Sequence, residues 1–180
     1  MAIISIMAAM LLGNRNQYSE LLILKNETYK AVLFVRQAQV YSLGVKAGGS
    51  SSTFNTSYGV YFDTSAVSQF KFFTDENGNG KWDTGEANEN VPLQNGVEIQ
   101  KICLELNQLD KCYPIGTGQV RKAVITFKRP SAEAIVKGLN TADNVIPPLT
   151  APAFIFLKSK TGLISSITVD STGVIAVVGI

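Results

Sequence analysis

Residues 1–46 read MAIISIMAAMLLGNRNQYSELLILKNETYKAVLFVRQAQVYSLGVK and contain no proline. The first twelve hold Ser5 as their single polar side chain, so a helix here is apolar on every face. After residues 13–16 the helix becomes amphipathic, with one side formed by Leu21, Leu24, Thr28, Ala31, Val35 and Ala38. Charged side chains fall between these and predict a solvent-facing side: Arg15, Glu20, Lys25, Glu27, Lys30 and Arg36. The sequence therefore predicts one long helix that ends near Gly44, before the glycine and serine run at 48–52.

The apolar run at residues 1–12 is too short to cross a bilayer, because a membrane-spanning helix takes about 20 residues. A cleavable signal peptide is a second interpretation, but no basic residue precedes the run and no small-x-small cleavage site follows it. A third is a native start that lies upstream, and a fourth is a buried core helix of a soluble protein. We expect the native coding frame to extend upstream into further apolar residues.

The composition favours one domain with a sizeable core and excludes several kinds of chemistry. The 180 residues are 46% hydrophobic and 17% charged, a higher apolar share than in an average soluble domain. The net charge of +2 makes no general case for nucleic-acid binding. The absence of histidine removes the commonest general base, the usual zinc ligand and every histidine-containing triad. The sequence therefore predicts no enzyme and no small-molecule substrate.

Short runs rich in aromatic and β-branched residues predict strands beyond the helix. The predicted strands are 58–62, 69–73, 97–106, 111–115, 120–128, 153–158, 165–170 and 174–178. Residues 140–152, which hold three of the six prolines, are predicted to be loop. The predicted fold class is α+β, with an N-terminal helix over residues 1–47 packed against an antiparallel β-sheet domain over residues 48–180.

The clearest alternation is at residues 120–128, VRKAVITFK. Ala123, Ile125 and Phe127 fall on one side of such a strand. The other side carries Lys122, Val124, Thr126 and Lys128. This pattern is typical of a half-buried antiparallel strand.

Cys103 and Cys112 are the only cysteines. If residues 97–106 and 111–115 pair as a hairpin, the two side chains meet, and bridging requires Cα atoms within about 7 Å. Two reduced, buried thiols are the alternative. We expect the disulfide in an exported protein, because oxidising compartments preserve such bonds.

Residues 75–86, DENGNGKWDTGE, match the twelve-residue calcium-binding loop. Counting from Asp75, the oxygen-bearing side chains fall at places 1, 3, 5, 9 and 12, and glycine takes place 6, where the loop turns sharply. The predicted ligands are the side chains of Asp75, Asn77, Asn79, Asp83 and Glu86, with the backbone carbonyl of Lys81. A hard cation needs six to eight oxygens, and alternate residues of a tightly curled loop supply them.

The flanks of this loop define the kind of site. FKFF before it and VPLQNGVEI after it are strand-like, so the sequence predicts a calcium loop between strands. With three carboxylates and two neutral amides, the predicted affinity lies at the weak, extracellular end of the range. The alternative is a solvated turn without any ion, because the asparagine and glycine residues of this segment are enough to form a turn.

In these features the chain resembles bacterial prepilin-like proteins, in particular the H-type minor pseudopilins and FimT-like pilins. The segments that carry the resemblance, in order, are AIISIMAAMLL, AVLFVRQAQVYSLGVK, SYGVYFD, FKFFTDENGNGKWDTGE, ITFKRPSAEA and SSITVDSTGVIAV. The resemblance implies a helix whose apolar half lies in the inner membrane before assembly and in the core of a filament afterwards. It also implies a globular domain in the periplasm or outside the cell.

The family's processing site is a glycine followed by an aromatic residue, with a glutamate five places into the mature chain. This sequence lacks it, so cleavage, N-methylation and the assembly glutamate are assigned to no residue; a start downstream of the native one accounts for this. The expected function is that of a structural minor pilin or pseudopilin of a type IV pilus or type II secretion filament, with other subunits as partners. The alternative is a calcium-dependent binding or adhesion domain at the cell surface.

The resemblance to FimT-like pilins also implies DNA contact through basic residues: Arg121, Lys122, Lys128 and Arg129. A solvated strand face is the stronger interpretation, because residues split over both sides of a strand do not make the clustered patch that phosphates need.

Overall fold

The computed structural model describes residues 15–44, 56–86, 88–104, 112–113, 120–128, 130–146 and 152–179. This part of the chain holds one long helix and two antiparallel sheets, so the predicted α+β class is confirmed. The apolar run at residues 1–12 lies outside it. Within the described ranges, no helix combines the length and the apolar character that a membrane crossing requires.

Helix α1 spans Arg15–Leu43 and packs one side against both sheets. It ends where predicted, since the Gly44 amide donates to the Val40 carbonyl oxygen at 2.8 Å. The predicted inner side is confirmed over most of its length, because these side chains are fully buried: Leu24, Thr28, Ala31, Val35 and Ala38. Leu21, predicted on the same side, is only partly buried. The Thr28 hydroxyl donates to the Leu24 carbonyl oxygen at 2.7 Å, so this polar group enters the core with its hydrogen bond made.

The predicted charged side of α1 needs a correction. Glu27 is only 7% exposed, and its carboxylate lies 2.5 Å from the ammonium of Lys30. Lys30 also donates to the Pro92 carbonyl oxygen at 2.8 Å. This pair therefore fastens the helix to the sheet, whereas the outward side of α1 is largely apolar.

The described strands, in chain order, are β1 Ser57–Asp63, β2 Gln69–Asp75, β3 Asn88–Pro92, β4 Glu98–Leu104, β5 Cys112–Tyr113, β6 Lys122–Phe127, β7 Ala134–Leu139, β8 Val145–Ile146, β9 Ala153–Lys158, β10 Ile164–Val169 and β11 Ile175–Val178. One sheet has the order β3-β2-β1-β6-β7-β8, and the other has the order β11-β10-β9-β4-β5. The neighbouring pairs are antiparallel throughout.

The sequence predicted one sheet, and that expectation is wrong. Strand β4 pairs with β9, far along the chain, so β4, β5 and β9 to β11 separate from the strands around β1. A single apolar core joins the two sheets, with Phe62 and Ile125 from one, Ile155 and Ile167 from the other, and Leu24 from the helix. Two sheets can each bury one face on α1, which a single flat sheet of the same strands could not do.

Strand β6 is buried on both sides, which corrects the prediction of a half-buried strand. Its inner side chains, Ala123, Ile125 and Phe127, join the main core as predicted. Val124 and Thr126 on the other side are also buried, at 0% and 1% exposure. The reason is that the connection between β2 and β3 covers this side of the sheet, where Trp82 packs against the apolar cluster that contains Val124.

Strand β8 lies within residues 140–152, which were predicted to be loop, and β7 was not predicted at all. Both arise from pairing: β7 runs beside β6 along its whole length, and Val145 and Ile146 pair with Leu139 and Gly138. Neither segment alternates apolar and polar residues: Ile135, on the exposed side of β7, is apolar, and β8 is only two residues long.

Cys103 and Cys112 form a disulfide, so the predicted bridge is confirmed. They are directly opposite in the β4–β5 register, with Cα atoms 4.1 Å apart. Both are fully buried in the core, where they hold the short β5 against β4.

Replacing both cysteines with alanine should lower the free energy of unfolding by about 2–3 kcal/mol, because the bridge closes a short loop, with a sequence separation of 9. Urea unfolding of the double variant beside the parent measures the loss. Alkylation of the unfolded parent without reductant, followed by mass spectrometry, is the control. Two alkylated thiols in the parent would contradict the bridge.

Candidate metal centre

The predicted calcium loop runs from Asp75, the last residue of β2, to Glu86, just before β3. These two strands are antiparallel neighbours, so the loop is the long connection of a hairpin, as its strand-like flanks predicted. Gly78 and Gly80 adopt φ values of 71° and 67°, in the left-handed region that glycine enters without strain. The chain therefore curls at the places where the motif puts glycine.

Asp75 anchors the beginning of the loop. Its side chain is 2% exposed, and its two oxygens accept the backbone amides of Asn79 at 3.1 Å and Gly80 at 2.8 Å. These bonds hold the curl closed around a carboxylate. The first predicted ligand thus lies at the centre of the loop.

Asn77 and Asn79 point toward Asp83 across the loop. Their side-chain amides donate to Asp83 Oδ2 at 2.8 Å and 2.5 Å. Their side-chain oxygens accept the backbone amides two residues ahead, Asn79 at 2.9 Å and Lys81 at 2.7 Å. The amide bonds from Asn77 and Asn79 hold the pKa of Asp83 below its usual value, so this carboxylate stays charged.

Glu86 closes the loop. Its Oε1 accepts the Glu76 amide at 3.1 Å and its Oε2 accepts the Asp83 amide at 3.0 Å, so one carboxylate joins both ends. Burial raises the pKa of Glu86, the two backbone bonds oppose that rise, and the charges of Asp75 and Asp83 add to it. A cation between the three carboxylates would offset this repulsion.

The donor set fits a hard cation in its chemistry, with three carboxylates and two side-chain amide oxygens on one curled loop. In the structure these oxygens are held by N–H groups. Across the described ranges, no three histidine, cysteine, aspartate or glutamate side chains converge as a ready metal cluster. Binding would therefore require Asn77 and Asn79 to turn their amides so that oxygen faces the ion. Calcium binding stays a prediction.

Lys81 uses its side chain outside the loop. Its ammonium donates to the Asp143 carbonyl oxygen at 3.1 Å, while Asp143 Oδ1 lies 2.6 Å from the ammonium of Lys122. The loop is thereby tied to the segment between β7 and β8. These contacts involve only the side chain of Lys81, so its backbone carbonyl stays a predicted calcium ligand.

Trp82 fixes the loop to the outer side of the sheet. Its ring lies 5.5 Å from the ring of Tyr61, and the ammonium of Lys71 sits 3.3 Å from its centroid. Beneath it lies a small apolar cluster formed by Tyr61, Phe73, Val124 and Leu139. Desolvation lowers the pKa of Lys71, and burial together with the nearby Asp63 raises the pKa of Tyr61. This anchor was not predicted from the sequence, although a lone tryptophan inside a polar loop is a usable signal.

Lys137 on β7 is a second anchor that the sequence did not indicate. Its ammonium donates to the Asn79 carbonyl oxygen, across 58 residues of sequence. A Cβ added to Gly80 would come within 2.7 Å of that ammonium, so glycine also permits this close approach. A contact so distant along the chain leaves no trace in local sequence pattern.

The basic residues considered for DNA do not form a free patch. Lys122 is paired with Asp143, Arg121 has an interaction of its own, and Lys128 is exposed, while Arg129 lies outside the described residues. The structure adds nothing in favour of DNA contact.

Comparison with known proteins returns no match from protein-family models, curated proteins or solved structures. The loop geometry and its anchors therefore rest on this chain alone.

Calcium should raise the melting temperature of the protein relative to chelator. At an assumed dissociation constant of about 0.1 mM and millimolar calcium, the gain is roughly 1.4 kcal/mol, or about 3–6 °C. Thermal melts measure it, and the emission of Trp82, the only tryptophan, follows the titration. The calcium-induced shift should vanish in Asp75→Ala.

Glu76→Gln is the matched control, because place 2 lies outside the predicted ligand set and its backbone amide is retained. This variant should keep most of the calcium-induced shift. An unchanged melting point of the parent on chelation would reduce the loop to an ordinary turn.

Lys137→Met should lower the free energy of unfolding in chelator by about 1 kcal/mol, since the Asn79 carbonyl loses its charged donor. Lys128→Met removes an exposed lysine from the neighbouring strand's end and should stay within about 0.5 kcal/mol of the parent. Urea unfolding compares the two variants. Equal losses would show that Lys137 does not hold the loop.

Proposed function

We propose that the chain is a structural subunit of a bacterial filament, a minor pilin or pseudopilin of a type IV pilus or type II secretion system. In this proposal it packs through its N-terminal helix against other subunits, after residence in the inner membrane. The observation that carries the proposal is the outward side of α1, which is apolar although it faces solvent.

That side is continuous along the helix. Its large apolar side chains are each 42–67% exposed: Tyr18, Leu22, Tyr29, Leu33, Val40 and Leu43. At 3.6 residues per turn, these six fall within an arc of about 80°, centred about 140° from the buried inner side. Tyr18 and Leu22 are repeated eleven residues later by Tyr29 and Leu33, and eleven residues make almost three full turns. We call these six residues the outer stripe.

A helix with two apolar sides needs two partners. The inner side is covered by the sheets of the same chain, whereas the outer stripe faces solvent among the described residues. Isolated exposed apolar residues are common, but contiguous patches mark interaction surfaces. Lys25 and Arg36 fall on the same arc. Their charges would keep the subunit soluble before assembly.

Two further features support an exported subunit. The Cys103–Cys112 disulfide suits an oxidising compartment. The connection at residues 75–86 would take Ca²⁺ at the concentrations found outside cells, where the ion would order the loop without switching the fold. In this proposal calcium is a structural cofactor that keeps the loop firm on the outer side of the sheet.

A photo-crosslinking amino acid placed at Val40 of the full-length protein, expressed in its source bacterium, tests the proposal. The proposal predicts covalent adducts with other pilin-like subunits in the membrane and sheared-filament fractions, because position 40 lies in the outer stripe and is 63% exposed. The same group at Glu133, an exposed position outside the outer stripe, is the matched control and should give few adducts. Protein found free in the cytoplasm, with no subunit adduct from position 40, would overturn the proposal.

A further inference from the structure

We propose that the groove between α1 and strand β11 is a peptide-binding site. It takes an extended segment of a partner protein as an added strand, with alternate apolar side chains in the groove and a carboxylate beside Arg36. This inference goes beyond the proposed function, because such a segment could be held whether or not the chain builds filaments.

Strand β11 is an edge strand without the usual protection. It ends the second sheet, and no described strand pairs with its other side. Its sequence, Ile175–Val178, contains no charge and no proline. Val178 at its end and Val174 just before it are 56% and 62% exposed. By contrast, the edge strand β3 of the other sheet carries Glu89 and Pro92. The other two edges, β5 and β8, are two residues long each. Charges, prolines and shortness all discourage strand addition, so β11 is the edge that would accept it.

A groove of about 320 Å³ runs beside this edge. It is lined by Tyr29, Val32, Leu33, Arg36, Ile175 and Val177. The helical side, from position 29 to 36, is about 10 Å long, and the strand side, from position 175 to 178, is also about 10 Å. The groove thus fits three or four residues of an extended chain. Backbone pairing with β11 would align that chain, and alternate side chains would enter between strand and helix.

Arg36 gives the groove a charge preference. Its guanidinium has no hydrogen-bond or ion-pair partner among the described residues, although it lines an otherwise apolar groove. A carboxylate on the incoming segment would supply that partner, in the paired geometry that guanidinium groups favour. The preferred segment therefore alternates apolar residues and carries an acidic group at the end near Arg36.

A second copy of β11 is a poorer occupant. Residues 174–180 read VIAVVGI and contain no acid, so pairing of two β11 strands would leave Arg36 without a carboxylate from that strand. The unpaired charge favours a different protein as the source of the segment.

Fluorescence anisotropy of a labelled peptide, Thr-Val-Thr-Val-Asp, titrated with the purified full-length protein tests the proposal. Two matched peptides isolate the two interactions: one ends in lysine instead of aspartate, and one is N-methylated at alternate amides. The aspartate peptide should bind, the lysine peptide should bind at least about tenfold more weakly, and N-methylation should abolish binding.

Arg36→Gln should remove the preference for aspartate over lysine while keeping binding of the peptide backbone. Lys25→Gln is the matched control, because Lys25 lies eleven residues earlier on the same side of α1 and does not line the groove. That variant should retain the full preference. Leu33→Asp should weaken binding of the aspartate peptide more than binding of the lysine peptide, because it places a second negative charge in the groove.

Three results would overturn the inference: no binding of the aspartate peptide, equal binding of the N-methylated peptide, or an unchanged preference in Arg36→Gln. Self-association of the protein without peptide binding would also overturn it, in favour of pairing between two copies. None of these results bears on crosslinking from the outer stripe, so the failure of this inference is distinguishable from failure of the filament proposal.

Discussion

Burial of the inner side of α1 is the constraint on which the rest of the structure depends. Ala31, Val35 and Ala38 are fully buried, and their small size lets the helix lie close to strands of both sheets. Polar contacts fix its position: Ser42 Oγ donates to the Phe127 carbonyl oxygen at 2.7 Å, and Gln39 donates to the Ala132 and Gly173 carbonyl oxygens at 3.1 Å each. Without the helix, both sheets would expose their inner faces to water.

The loop at residues 75–86 forms a second cover, on the other side of the first sheet. Trp82 and the Lys137 contact place it over β1, β6 and β7, so the outer side of that sheet is buried as well. The carboxylates of the candidate metal centre are therefore held by a loop with a firm base. An ordered backbone lowers the entropic cost of ligand binding, although the side-chain amides of Asn77 and Asn79 would still have to turn.

Two exposed surfaces lie next to each other. The outer stripe runs along α1, and β11 contacts the same helix, so Leu33 belongs both to the stripe and to the groove. Within the described part of the chain, one side of the molecule thus combines an apolar helix face, an unpaired strand edge and the unpaired Arg36, whereas the loop at residues 75–86 lies over the sheet face made by Tyr61 and Val124. This separation leaves the outer stripe and the edge of β11 clear of the loop.

The sequence by itself determined the elements whose signal is local. Helical spacing predicted the inner side of α1, alternation predicted β6, and the spacing of oxygens and glycines located the loop in which Asn77 donates to Asp83 and Asp75 accepts the Gly80 amide. Only the tertiary structure decided the division into two sheets, the short strand β8, the cover over Val124, the contact of Lys137 with the loop and the place of Arg36 in the groove. The physical reason is that local pattern records whether a side chain prefers water or the core. Packing and hydrogen-bond pairing between segments far apart in the chain decide which strand or loop covers that side chain.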